Sequence, residues 1–207
     1  MIVALVLALA LPPAPGPPVG LVLSEGAEIA RDGRPAVPAP PGELLYSGDV
    51  VTARQPVRLI SCGERMLGTL PAGHTATVEG QMVAARQWQT RKTIGACFLP
   101  VVTKGPVGGA KHLGAMMIRA VDLFATGTRE SRIQALDPES RESLLRNLAA
   151  LSGDEPENCV MRGALYQRNR LHLDAKQEYE AALKLWPKAS WLKTLIVAQD
   201  DALLRSR

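Results

Sequence analysis

Histidine and cysteine are scarce in this sequence, and so are the spacings that would turn them into chemistry. The three histidines, His74, His112 and His172, stand apart from one another, and neither His-Glu-x-x-His nor Cys-x-x-Cys occurs, so no metal site is expected. No Gly-x-Ser-x-Gly elbow is present either. Without a nucleophile in a recognisable setting, the reading assigns no catalytic residue and no cofactor, and expects a protein that is not an enzyme. The charge of +4 is spread thinly, with no Lys/Arg block and no basic stripe interleaved with aromatics. That pattern argues against nucleic acid as a partner. A mildly basic surface still suits anionic polymers of a cell envelope.

Long apolar runs are missing too. The longest opens the chain, from Met1 to Leu11, and gives way to the proline cluster Pro12, Pro13, Pro15, Pro17 and Pro18. A membrane-spanning helix needs about 20 apolar residues, whereas the core of a signal peptide needs roughly 7 to 15. Ala8-Leu9-Ala10 supplies small residues at cleavage-type spacing, although no Lys or Arg precedes the run. Residues 1–18 therefore read as a signal peptide and tether, and the protein as periplasmic or secreted, with no integral membrane segment once the leader is removed.

What is present is turn chemistry: 16 prolines and 18 glycines. Residues 19–103 show short apolar segments between turns, with strands expected at Gly20 to Ser24, Ala27 to Arg31, Val57 to Ser61 and, as the last strand, Cys97 to Val102. Asp32-Gly33 marks a hairpin. The proline-rich stretch Ala36 to Gly42 reads as a loop, because no central strand tolerates it. Residues 104–136 form a glycine-rich joint and an apolar connecting segment, Leu113 to Ala125. Residues 137–207 read as helical, with Asp137 capping a helix from Pro138 to Leu151. The fold class is α+β: a small β-rich N-terminal part followed by a helical C-terminal region.

Two resemblances emerge from particular residues. Gly20-Leu-Val-Leu-Ser-Glu-Gly26, Gly42-Glu-Leu-Leu-Tyr-Ser-Gly48-Asp49-Val-Val-Thr52 and Leu70-Pro-Ala-Gly73, with Ala76 and Val78, resemble the periplasmic FecR-type domain, most specifically over Leu45 to Thr52. The resemblance implies a β-rich extracytoplasmic domain and, in the family's best-known members, transfer of a surface signal to an anti-sigma system. This chain lacks an evident membrane-spanning helix and cytoplasmic arm, a departure that bears on the signalling role. Gly48-Asp49 reads as a tight turn between strands.

Further on, Gly163, Tyr166, Ala175, Tyr179, Ala182 and Pro187 fall at the spacing of one tetratricopeptide repeat. Gly163 and Ala175 would let two antiparallel helices approach, Tyr166 and Tyr179 would fill the gap, and Pro187 would end the second helix. Cys159 and Arg162 depart from the template, which has Trp and Leu there. A lone repeat must lean on its neighbours, Pro138 to Leu151 and Ser190 to Leu204. Glu157, Val160, Ala164, Gln167 and Arg168 share one stripe of the first helix and are the candidate partner-binding residues, unless flanking structure fills that side.

The leading reading is a non-catalytic exported protein that binds another protein or an envelope component outside the cytoplasm. A FecR-type regulator is one alternative. A nucleotide-dependent enzyme using Lys111 is another, since Gly105-Pro-Val-Gly-Gly-Ala110-Lys111-His112 imitates a phosphate-cradling loop; Ala110 and His112 stand where that loop needs Gly and a hydroxyl. Among the three cysteines, Cys62 and Cys97 end expected strands of one β-rich domain in an oxidising compartment and are expected to pair. Cys159 is expected as a buried free thiol.

Overall fold

The computed structural model describes residues 16–80, 82–84, 88–100 and 127–205. The leader, the Gly105 to His112 loop and the segment Leu113 to Ala125 lie outside the described residues.

Among the described residues ten strands come first: β1 Gly20–Val22, β2 Ala27–Ala30, β3 Val37–Ala39, β4 Leu44–Leu45, β5 Val50–Ala53, β6 Val57–Ser61, β7 Met66–Leu70, β8 Thr75–Glu79, β9 Met82–Ala84 and β10 Thr90–Thr93. Five helices follow among the described residues: α1 Arg129–Gln134, α2 Pro138–Ala149, α3 Pro156–Arg168, α4 His172–Leu185 and α5 Ser190–Arg205. The α+β class expected from the sequence is the class observed.

The strands form two five-stranded antiparallel sheets, ordered β10-β7-β6-β1-β4 and β3-β2-β5-β8-β9. Val22, Leu45, Leu59 and Leu70 of the first meet Ile29, Val51, Ala76 and Val78 of the second in one buried cluster. The other face of the first sheet is buried as well. Leu21, Leu44 and Ile60 join Val160, Leu165, Tyr179 and Leu192 of the helices in a second cluster. The first sheet is therefore the middle of three layers, here called the inner sheet, and the second is the outer sheet. Covered strands tolerate consecutive apolar residues, which is why Gly20-Leu-Val and Leu44-Leu45 are buried throughout. Outer-sheet β8 alternates instead, with Thr75, Thr77 and Glu79 exposed and Ala76 and Val78 buried.

Local signals explain the connections. Asp32 (φ 54°) and Gly33 (φ 71°) both take the left-handed conformation between β2 and β3, as a tight hairpin turn requires. Asp137 caps α2 by accepting from the Ser140 N–H at 2.9 Å.

Two strand assignments differ from the sequence reading. The proline-rich stretch contains β3, paired with β2 from Val37↔Ile29 to Ala39↔Ala27. Proline is admissible there because β3 is an edge and Pro38 needs no second ladder partner. Conversely, Cys97 to Pro100, the described part of the expected last strand, belongs to no strand, and among the described residues the last strand is the polar β10. The apolar residues Ala96 and Leu99 are buried by packing under the helices, without a ladder.

The helical layer is tied to the inner sheet by more than apolar contact. The Trp191 indole N–H donates to the Gly42 carbonyl at 2.6 Å, and the Arg58 guanidinium lies 3.6 Å from the Glu157 carboxylate. Among the described residues no helix is long and apolar enough to cross a membrane.

Candidate functional site

Helices α3 and α4 form an antiparallel hairpin, and the residues singled out for repeat packing sit at its seam. Gly163, Tyr166, Ala175, Tyr179 and Ala182 are buried, and Pro187 follows the end of α4 at Leu185. A Cβ on Gly163 would stand 2.5 Å from Cε1 of the Tyr179 ring. The Tyr179 hydroxyl donates to Gln167 Oε1 at 2.7 Å, and burial pushes its ionisation far above the ordinary tyrosine range.

The candidate partner stripe is divided by the packing. Val160 lies inside the cluster shared with the inner sheet, Ala164 is buried, and Glu157 is 8% exposed beside Arg58. Gln167 is half-buried as the acceptor for Tyr179. Arg168 is exposed, with its guanidinium 5.1 Å from the centre of the Phe98 ring. Only the Arg168 end of the stripe reaches solvent.

A denser constellation lies on the other side of the hairpin, where α1 packs against α4. Asp174, fully buried, accepts from Arg132 at 2.6 and 2.8 Å and from Arg129 at 3.2 Å. Glu178 accepts from Arg162 at 2.9 Å and lies 3.3 Å from Arg129. The Arg129 guanidinium also sits 5.3 Å from the centre of the Tyr166 ring. Arg162 closes the set by donating to the carbonyls of Leu151 and Gly153 at 3.0 and 2.6 Å and by lying 3.3 Å from the Cys159 sulfur. Of this set, Arg129, Cys159, Arg162 and Glu178 line a cleft of about 420 Å³ whose remaining wall includes Gln177, Lys184 and Leu185.

Chemically, each buried carboxylate here is spanned by guanidinium groups that stay charged at any physiological pH. The arrangement fastens α1 to the hairpin. Burial pushes the Cys159 thiol up, so it stays protonated and unreactive at neutral pH.

Sequence reasoning did not assemble this network, although parts of its signature were visible. Cys159 and Arg162, the two departures from the repeat template, are neighbours on one helical face and meet in the structure. Arg129 and Arg132 at a spacing of three, and Asp174 and Glu178 at a spacing of four, show the same face-sharing pattern. Their pairing across 42 positions carries no sequence signal.

A second polar knot marks the passage from the inner to the outer sheet. Asp49, 1% exposed, accepts from the Arg31 guanidinium at 2.8 and 2.9 Å and from the Tyr46 N–H at 2.9 Å. Arg31 also donates to the Leu44 carbonyl at 2.9 Å and stacks on the Tyr46 ring at 4.8 Å. Asp49 is thus a turn residue held by a buried ion pair.

Beyond this knot one face of the outer sheet is polar and, among the described residues, exposed along β8. Cross-strand neighbours Glu28, Thr52 and Thr75 lie in one row, followed by Thr77 and Glu79 along β8.

Cys62 and Cys97 are joined by a disulfide with a Cα separation of 5.2 Å, and Cys159 is free and buried. His172 faces Gln199 at 2.8 Å and His74 faces the Ala72 carbonyl at 3.0 Å; His112 lies outside the described residues. Among the described residues no group of His, Cys, Asp and Glu is arranged to hold a metal ion. Comparison with family models, curated proteins and solved structures gave no match.

Proposed function

We propose that this chain is an exported, non-catalytic binding protein whose outer sheet is the recognition face for another protein or an envelope component. One observation carries the reading. The helices cover the free face of the inner sheet, whereas among the described residues the corresponding face of the outer sheet carries half-buried Glu28 and Thr52 in register with exposed Thr75, followed by exposed Thr77 and Glu79. The Cys62–Cys97 disulfide supports a location outside the cytoplasm, where such bonds persist.

The test is recovery of partners from the native envelope by the purified protein. Replacing Thr52 and Thr77 by Arg should abolish capture of whatever the wild type captures, with the melting temperature unchanged, since both side chains point away from the core. Unchanged recovery would refute the outer sheet as the recognition face. Arg168→Glu, on the accessible end of the helical stripe, tests the alternative face: loss of capture with that variant alone would move the binding surface to the helices.

A regulatory role of the FecR type is a second reading, favoured by the stretch Leu45 to Thr52. It runs from the end of β4 through Asp49 into β5, and so joins one sheet to the other. Genes for a sigma factor and an outer-membrane receptor beside this one would support that role.

A further inference from the structure

We propose that the Cys62–Cys97 disulfide is a redox-operated tie: closed, it seats the segment Ile94 to Pro100 as a wedge between the inner sheet and the helices, and opened, it loosens the helical layer while the β-sandwich stays folded. The inference goes beyond the binding role and does not depend on it.

The wedge is placed to do this. Ala96 and Leu99 are each 5% exposed and belong to the cluster shared by inner sheet and helices, with Ile94 and Phe98 packed against it. Gly95 abuts the end of α2, where a Cβ would stand 3.1 Å from Cβ of Ala150. Phe98 lies under the Arg168 guanidinium at the end of α3. One short segment thus touches both helices and the sheet.

Its anchorage is sparse. Ile94 N–H donates to the Arg65 carbonyl at 2.8 Å, and residues 96–100 then belong to no strand or helix. The covalent bond to Cys62, just past β6, fixes the segment at its centre. The cluster between the two sheets contains no residue of the wedge, so the sandwich does not depend on the segment for its own core. Both cysteines are only half-buried, whereas Ala96 and Leu99 on either side of Cys97 are buried.

The reaction is thiol–disulfide exchange with an external dithiol. Its thiolate attacks one sulfur and breaks the Cys62–Cys97 bond. The second thiolate resolves the mixed disulfide, so that two electrons and two protons pass to the cysteines and the dithiol leaves oxidised.

Hydrogen exchange on the full chain, with and without dithiothreitol, tests the proposal. The expected result is exchange at least about tenfold faster in α2, α3 and α4, with protection of β2, β5 and β8 retained, since layers held by separate cores open separately. In the Cys62→Ser/Cys97→Ser variant, where Cys159 is the remaining thiol, maleimide should label Cys159 faster by a similar factor. Leu99→Asp, which leaves the disulfide intact but unseats the wedge, should reproduce the helical loosening. Unaltered exchange in the helices after reduction would overturn the proposal. So would equal acceleration in the sandwich strands, or a Leu99→Asp protein whose helices exchange as in the wild type.

Discussion

Gly163 and the ring of Tyr179 occupy one space: a methyl group on the glycine would lie within 3.0 Å of three ring atoms. Tyr179 cannot retreat, because it is fully buried and its hydroxyl is held by Gln167. Gly163→Ala should therefore cost about 3 kcal/mol from overpacking, less the roughly 1 kcal/mol that alanine gains in a helix. A net loss of about 2 kcal/mol in urea unfolding is expected, with the hairpin destabilised despite a better helix former.

The ion pair of Arg132 and Asp174 makes the opposite kind of prediction. Both side chains are almost wholly buried, and removing one partner strands the other in a low-dielectric interior. Asp174→Asn should destabilise the fold by about 3 kcal/mol or more, whereas Arg132→Met with Asp174→Leu should recover most of that loss. Chemical denaturation of the three proteins decides it.

The cap on α2 predicts a dependence on pH. The backbone N–H of Ser140 holds the Asp137 carboxyl below its ordinary range. A folded-state pKa below the unfolded one means stability that is fully present above the unfolded value, near 3.9, and is lost as pH falls through the lower folded value. The gap in melting temperature between wild type and Asp137→Ala should accordingly be constant near neutrality and close in acid.

Trp191→Phe removes the indole donor to Gly42 while keeping most of the ring. Loss of that hydrogen bond should cost about 1 kcal/mol. Amides in α5 and near Gly42 should lose protection together in hydrogen exchange, since the bond joins positions 149 apart.

Much of the architecture was legible because it was written locally. Asp32-Gly33 marked a hairpin, Asp137 a helix start, and Gly163 with Tyr179 a close crossing of helices. Errors arose where tertiary context overrode local composition. Pro38 sits in a strand because that strand is an edge, and the apolar Cys97 to Pro100 lies outside any strand, with Leu99 buried in the cluster that the helices share. The candidate stripe on α3 was sound as periodicity, since its members do share a face. Periodicity does not say which residues of that face are packed away, and Val160 and Ala164 are both buried. The arginine network remained hidden for a related reason: an isolated Arg or Asp looks like ordinary solvated charge until the fold supplies its distant partner.

The double burial of the inner sheet has a consequence for synthesis on the ribosome. Strands emerge first and α3 to α5 last, so a completed sandwich waits with Leu21, Leu44 and Ile60 facing water until the final third of the chain arrives. During that interval the nascent protein displays a greasy plate suited to capture by a holding chaperone. A fragment ending at residue 103 keeps that plate for good, and should aggregate unless those three positions are made polar.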